Sequence, residues 1–226
     1  MASLLNRFIS LCKWPLAVIL LLLLPTLLQQ LWAVIQHIAT HVQHYQWLLV
    51  GAGLYGVLWF LGLRHSTMMR WFSTLEHELT HALVAILTLN RVTGLNATHN
   101  GGVMQFQGFG NWLITLAPYF IPTLSLVVLG LMNLAKATYY PMLFAVMGFS
   151  MAYHLQSTWH ELHDQQPDLK QAGWLFCWLF LPAANVVMAL VLLTALPNDT
   201  LTWAKTQSSL WDALSHWQAV LLSKRL

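Results

Sequence analysis

The stretch WPLAVILLLLLPTLLQQLWAVIQ, residues 14–36, runs for 23 residues without a charged side chain. About 20 apolar residues suffice for a helix to cross the ~30 Å hydrocarbon layer of a bilayer, so this run is long enough to span one. It follows Arg7 and Lys13 as a signal peptide would, but it lacks a small-residue cleavage site and reads as a retained helix. Outward from it, the pattern repeats. Asp, Glu, Lys and Arg are absent from 14–63, 92–135, 137–160 and 171–198. Of 226 residues, 58% are hydrophobic and 8% charged, with mean hydropathy +0.59, whereas a soluble domain is roughly a quarter charged. So few polar groups cannot cover a water-soluble globule, and the chain reads as an all-α polytopic membrane protein forming a single integral-membrane domain over 1–226.

Apolar runs predict about six transmembrane helices, near 14–38, 46–63, 72–90, 111–134, 138–155 and 173–196. Residues 1–13 space Leu4, Leu5, Phe8, Ile9 and Cys12 opposite Arg7 and Lys13, as in an interfacial helix. The tail 198–226 sets Trp203, Trp211 and Trp217 among polar residues and reads as a second amphipathic segment. With a cytoplasmic N-terminus, six spans put eight Lys and Arg residues inside and only Arg91 and Lys170 outside, which favours two cytoplasmic termini. The basic residues lie singly at the ends of apolar runs, so the net charge of +3 reads as a topology signal and no nucleic-acid partner is expected. Cys12 and Cys177 fit neither a disulfide framework nor a cysteine zinc motif. The glycine-rich stretch 91–110 breaks the helical pattern, and its Val103-Met104-Gln105-Phe106-Gln107 alternation predicts a small strand-like insert.

Chemistry concentrates in His77-Glu78-Leu79-Thr80-His81, set within WFSTLEHELTHALVAILTL (71–89). Four residues of separation put both imidazoles on one helix face, where they can share one Zn²⁺. Glu78 stands beside them as a candidate general base for a metal-activated water. Ionisable groups inside an apolar run are costly and mark functional sites. Ser73-Thr74-Leu75-Glu76 reads as a capping box, placing the helix start near Ser73 and giving Glu76 a structural role. His37, His41 and His44 read as a polar cap where the first span leaves the membrane.

This motif in an apolar helix, followed by a glycine-rich insert and by LAPYFIPTLSLVVLG (116–130), resembles the site-2 protease family of intramembrane zinc metalloproteases, in particular its small bacterial-type members. The likeness spans about 70–175 and implies a metalloprotease core at 72–175. It implies zinc as cofactor, membrane-embedded or membrane-anchored proteins as substrates, and a bacterial cytoplasmic membrane as location. It also implies an aspartate as third zinc ligand. Asp168, in Pro167-Asp168-Leu169-Lys170, matches that place, with Asp164 in reserve. Six spans put Asp168 in the loop opposite the start of the motif helix, so the two meet only if 156–172 folds back or one span is re-entrant. His154, His160, Glu161 and His163 are further donors, for a second metal site, a polar cluster near the first, or no site at all. A different reading of the eleven histidines is a non-proteolytic membrane protein that binds metal or haem, as a transporter or assembly factor; it makes Glu78 dispensable.

Overall fold

The computed structural model describes residues 1–197, so the expected amphipathic tail at 198–226 lies outside the described residues. The chain forms α1 (Ala2–Thr40), α2 (Val42–Leu61), α3 (Thr67–Leu87), β1 (Arg91–Thr98), β2 (Gly101–Gln107), α4 (Trp112–Leu116), α5 (Thr123–Leu134), α6 (Tyr140–Glu161), α7 (Pro167–Ala172) and α8 (Trp174–Thr194). The insert is an antiparallel hairpin, with Asn96 opposite Val103 and Thr98 opposite Gly101. The expected strand is present, and a second one pairs with it.

Residues 1–13 do not form a separate interfacial helix; they are the first turns of α1, unbroken through Pro15 and Pro25. The reason lies in Asn6. Its buried amide exchanges hydrogen bonds with Asn90 (2.8 and 3.2 Å) and accepts one from Asn111 (2.8 Å), which ties this end of α1 into the protein.

Side-chain pairings give the direction of each helix. Lys13 and Trp14 of α1 meet Ala172 and Phe176, while Leu27 and Val34 share a core with Leu190 and Leu193, so α1 and α8 run parallel. His44 meets Phe144 and Tyr55 meets Tyr153 and Gln156, so α2 and α6 also run parallel. Their backbones touch: a β-carbon at Gly51 would come within 1.8 Å of the Ala145 carbonyl oxygen, and one at Gly148 within 1.9 Å of that of Leu48. Small residues at such contacts are how helices pack without a hydrophobic drive between them.

α3 does something different. Its first half meets the end of α6, where Ser73 and Ser157 hydroxyls lie 3.1 Å apart, and its C-terminal stop brings Asn90 to Asn6 at the start of α1. Both places belong to one end of the bundle, so α3 runs across that end and does not traverse it. The stop is a Schellman motif. Asn90 N–H donates to Ala85 O (2.8 Å), Leu89 N–H donates to Ile86 O (2.9 Å), and Leu89 takes the left-handed conformation, φ 62°, that glycine usually supplies. At the other terminus Ser66 caps the helix by accepting from Met69 N–H. The capping box expected at Ser73–Glu76 therefore falls in mid-helix.

Six spanning helices are not found. Among the described residues α1 and α8 are long and apolar enough to cross a membrane, and Trp112–Tyr119 with Thr123–Leu134, bent by 78°, makes a third candidate. Among the described residues, two of the three buried clusters stack along the bundle, and the third, Val84, Ala85, Ile114 and Ala117, joins α3 to α4. Of the stacked pair, one, around Trp112, Tyr119, Leu169, Phe176 and Phe180, lies at the end crossed by α3; the other, around Tyr45, Met132, Met147 and Leu192, lies at the opposite end with Leu196.

Candidate metal centre

On α3, the i, i+4 spacing sets His77 and His81 edge to face, with ring centroids 4.8 Å apart. α7 brings Asp168 to both. Its Oδ2 lies 3.4 Å from His77 Nε2 and 3.3 Å from His81 Nε2, and the candidate ligand atoms of the three residues all fall within 4.8 Å of one another. Ligands at 2.0–2.1 Å from a tetrahedral zinc sit about 3.4 Å apart, so the two His–Asp separations fit such an ion. The three residues that the sequence singled out as ligands are thus brought together, although Asp168 is 91 positions from His77. The segment before α7 folds back, and α3 stays at the same end of the bundle; together these remove the conflict posed by six straight spans.

The outer contacts fix the same orientation. His77 Nδ1 lies 2.6 Å from Glu161 Oε2, and His81 Nδ1 lies 2.7 Å from the carbonyl oxygen of Ile114. A carboxylate and a carbonyl only accept, so both Nδ1 atoms carry hydrogen and both Nε2 lone pairs are left to face Asp168. Ligating histidines are commonly held this way. Ile114 is itself placed by Asn111, whose side chain caps α4 by accepting from Ile114 N–H (3.1 Å) and also donates to Asn6. Tyr119 donates its hydroxyl to Asp168 Oδ2 at 3.3 Å. Lys13 Nζ, 2.7 Å from Ala172 O, secures the C-terminus of the short helix that carries Asp168.

Glu78 is buried at 8% exposure beneath β2. The Met104 backbone N–H lies near its carboxylate, and Gly102 is so close that a β-carbon there would come within 2.7 Å of Glu78 Cγ. The site opens into a cavity of about 590 Å³ between α3, the hairpin and α7.

Of the other donors, Glu161 is the one brought to the centre, as the partner of a ligand. Asp164, His154, His160 and His163 do not join it, and among the described residues the one group arranged to hold a metal is His77, His81 and Asp168. His37 and His41 stack on each other at 4.1 Å near the opposite end of α1. Sequence reasoning gave no role to the Ile114 carbonyl or to the Tyr119 hydroxyl. Nothing in the residue pattern marks a backbone carbonyl as a histidine's partner.

No curated protein and no solved structure matches the chain. Residues 50–158 match a family model described as Peptidase M50B-like. That segment holds the H-E-x-x-H helix and the hairpin laid over it, and the match supports the resemblance to the site-2 protease family.

Proposed function

We propose that this protein is an intramembrane zinc metalloprotease that hydrolyses peptide bonds of membrane-embedded or membrane-anchored proteins. The observation that carries this reading is the convergence of His77 Nε2, His81 Nε2 and Asp168 Oδ2 on one point beside the buried carboxylate of Glu78.

His77, His81 and Asp168 would hold the ion, leaving a fourth position open, as catalytic zinc sites do. Zinc bound there supplies Lewis acidity, lowering the pKa of a water and polarising a peptide carbonyl. Glu78 takes the proton from that water on its carboxylate and returns it to the leaving amine nitrogen. Gly102 lets β2 lie directly on that carboxylate. The hairpin has only two strands, so β2 keeps a free edge, and Val103 on it is half exposed. An unwound substrate segment adds to that edge as a strand, because peptide bonds inside a helix are shielded from attack.

The end of the bundle bearing the site is also the basic one. Arg7, Lys13, Arg64, Arg70, Arg91 and Lys170 lie there, whereas Lys136 lies at the other end with the close of α5. By the positive-inside rule the site faces the cytoplasm. α2 and α6 are less apolar than α1, α8 and the bent α4–α5 pair but run alongside them from end to end, so the five are read together as passages with α3 re-entrant, and Leu196 ends on the side opposite Asn6. A bacterial cytoplasmic membrane is the proposed location.

Cleavage of a membrane-anchored reporter by the purified protein, followed together with zinc content, tests the reading. Glu78→Gln is expected to retain zinc and to lose activity by roughly 10²–10⁴-fold, since Glu78 handles protons and is not a ligand. A Glu78→Gln protein as active as the native one would instead favour a histidine-based metal or haem carrier.

A further inference from the structure

A second cavity, about 300 Å³, opens at the same end of the bundle between the ends of α2 and α6 and the start of α3. Arg64, His65, Arg70 and His160 line it, with the hydroxyls of Ser73 and Ser157. Among the described residues neither arginine takes part in an ion pair. Arg64 donates from Nε to His65 Nε2 (2.9 Å), which leaves its terminal nitrogens for another partner. Glu161 is the one carboxylate in the wall, and its Oε2 is engaged by His77. The cavity therefore carries a surplus of positive charge at the level where the helices leave the bilayer.

An apolar groove of about 480 Å³ adjoins it along α2 and α6, and the two share Trp59 and Gln156. Ala52, Gly56, Leu155 and Trp159 line the groove. A β-carbon at Gly56 would meet nothing within 4 Å, so the small residue is what keeps the space open. Tyr55, which also lines it, spends its hydroxyl on Gln156 Oε1 at 2.7 Å. α2 and α6 run parallel and both end at the basic cavity, so the groove leads from headgroup depth toward the bilayer interior.

We propose that this pair of cavities is a binding site for one anionic phospholipid. Its phosphate pairs with Arg64 and Arg70, and one acyl chain lies over Gly56 between Tyr55 and Trp159. Two features argue for a lipid over any other occupant. A free anion satisfies the basic cavity and leaves the groove empty, while an apolar helix fills the groove and leaves two arginines without a counter-charge. Basic pockets between helices on the cytoplasmic side are known to take such headgroups. The site adjoins the metal centre through Glu161, but the proposal stands on binding alone and does not depend on proteolysis.

Native mass spectrometry of the full-length protein in detergent tests it, with phosphatidylglycerol and phosphatidylcholine of identical chains as probes. The expected result is one lipid adduct, with phosphatidylglycerol bound roughly 10-fold or more tightly than phosphatidylcholine, given two arginines at the phosphate. Arg64→Gln with Arg70→Gln brings the two lipids to similar affinity, whereas Arg7→Gln, at an exposed basic residue of the same end outside the cavity, leaves the preference intact. Gly56→Leu fills the groove without touching charge and weakens both lipids. Millimolar inorganic phosphate does not displace the adduct. Equal binding of the two lipids by the native protein, an unchanged preference in the double variant, full binding by Gly56→Leu, or displacement by phosphate alone would each overturn the proposal. Should the double variant fail to fold, the native selectivity and Gly56→Leu still decide.

Discussion

Each candidate metal-binding histidine turns Nε2 to Asp168 because its Nδ1 is occupied, and the two occupants differ in kind. Glu161 holds His77 with a carboxylate; Ile114 holds His81 with a backbone carbonyl. Removing the carboxylate leaves His77 free to rotate, so Glu161→Ala should weaken zinc binding by roughly 10–100-fold in chelator competition, with Glu161→Gln retaining part of it through its own carbonyl. Equal zinc affinity in both variants and the native chain would show that Glu161 does not position His77. His77, Glu78 and His81 were legible in the sequence because they lie within one turn of one helix. Asp168 became legible only through the family resemblance, and Glu161 only as one of four donors open to a polar cluster near the site, since 84 residues separate it from His77 and its own helix gives no sign of which face meets α3.

At the scale of elements, the close approach of β2 to α3 depends on Gly102. Gly102→Val pushes a side chain into Glu78 and Thr74, which should lower cleavage by on the order of 10²-fold while leaving zinc in place, as a misplaced catalytic group does. Zinc loss in that variant would mean that the hairpin supports the ligands and not the base. α2 and α6 touch backbone to backbone at Gly51 and Gly148, so Gly148→Val overpacks that contact and should destabilise the fold by about 1–3 kcal/mol, read as a lower melting temperature in detergent. The sequence predicted the strand from its alternation and the helices from their apolar runs. It missed where α3 begins, because Ser73-Thr74-Leu75-Glu76 has the composition of a cap but lies in mid-helix, where Ser73 pairs with Ser157. Nor did it show how α3 ends, because the left-handed stop falls on Leu89, a residue with no turn preference.

For the whole molecule, the apolar run at 72–90 looked like one more span, and counting it as such gave six. Length and apolarity do not reveal that Asn90 returns to Asn6, a contact made by two side chains 84 positions apart. The two topologies separate cleanly at the hairpin. A single cysteine at Asn100, in the exposed turn between β1 and β2, should react with an impermeant thiol reagent from the same side as the N-terminus, and one at Ala137 from the opposite side, in a background lacking Cys12 and Cys177. Labelling of Asn100→Cys from the side opposite the N-terminus would restore α3 as a crossing helix. With α3 across one end, the basic face, the metal centre and the proposed lipid site all share one side of the membrane.

The central claim is that two histidines of α3 and one aspartate of α7 hold a single metal ion beside Glu78, and zinc content per purified chain tests it most directly. About one zinc in the native and Glu78→Gln proteins, with marked loss in His81→Ala and Asp168→Ala, is the predicted result. A full zinc complement in a folded Asp168→Ala protein, or none in the native chain, would contradict it.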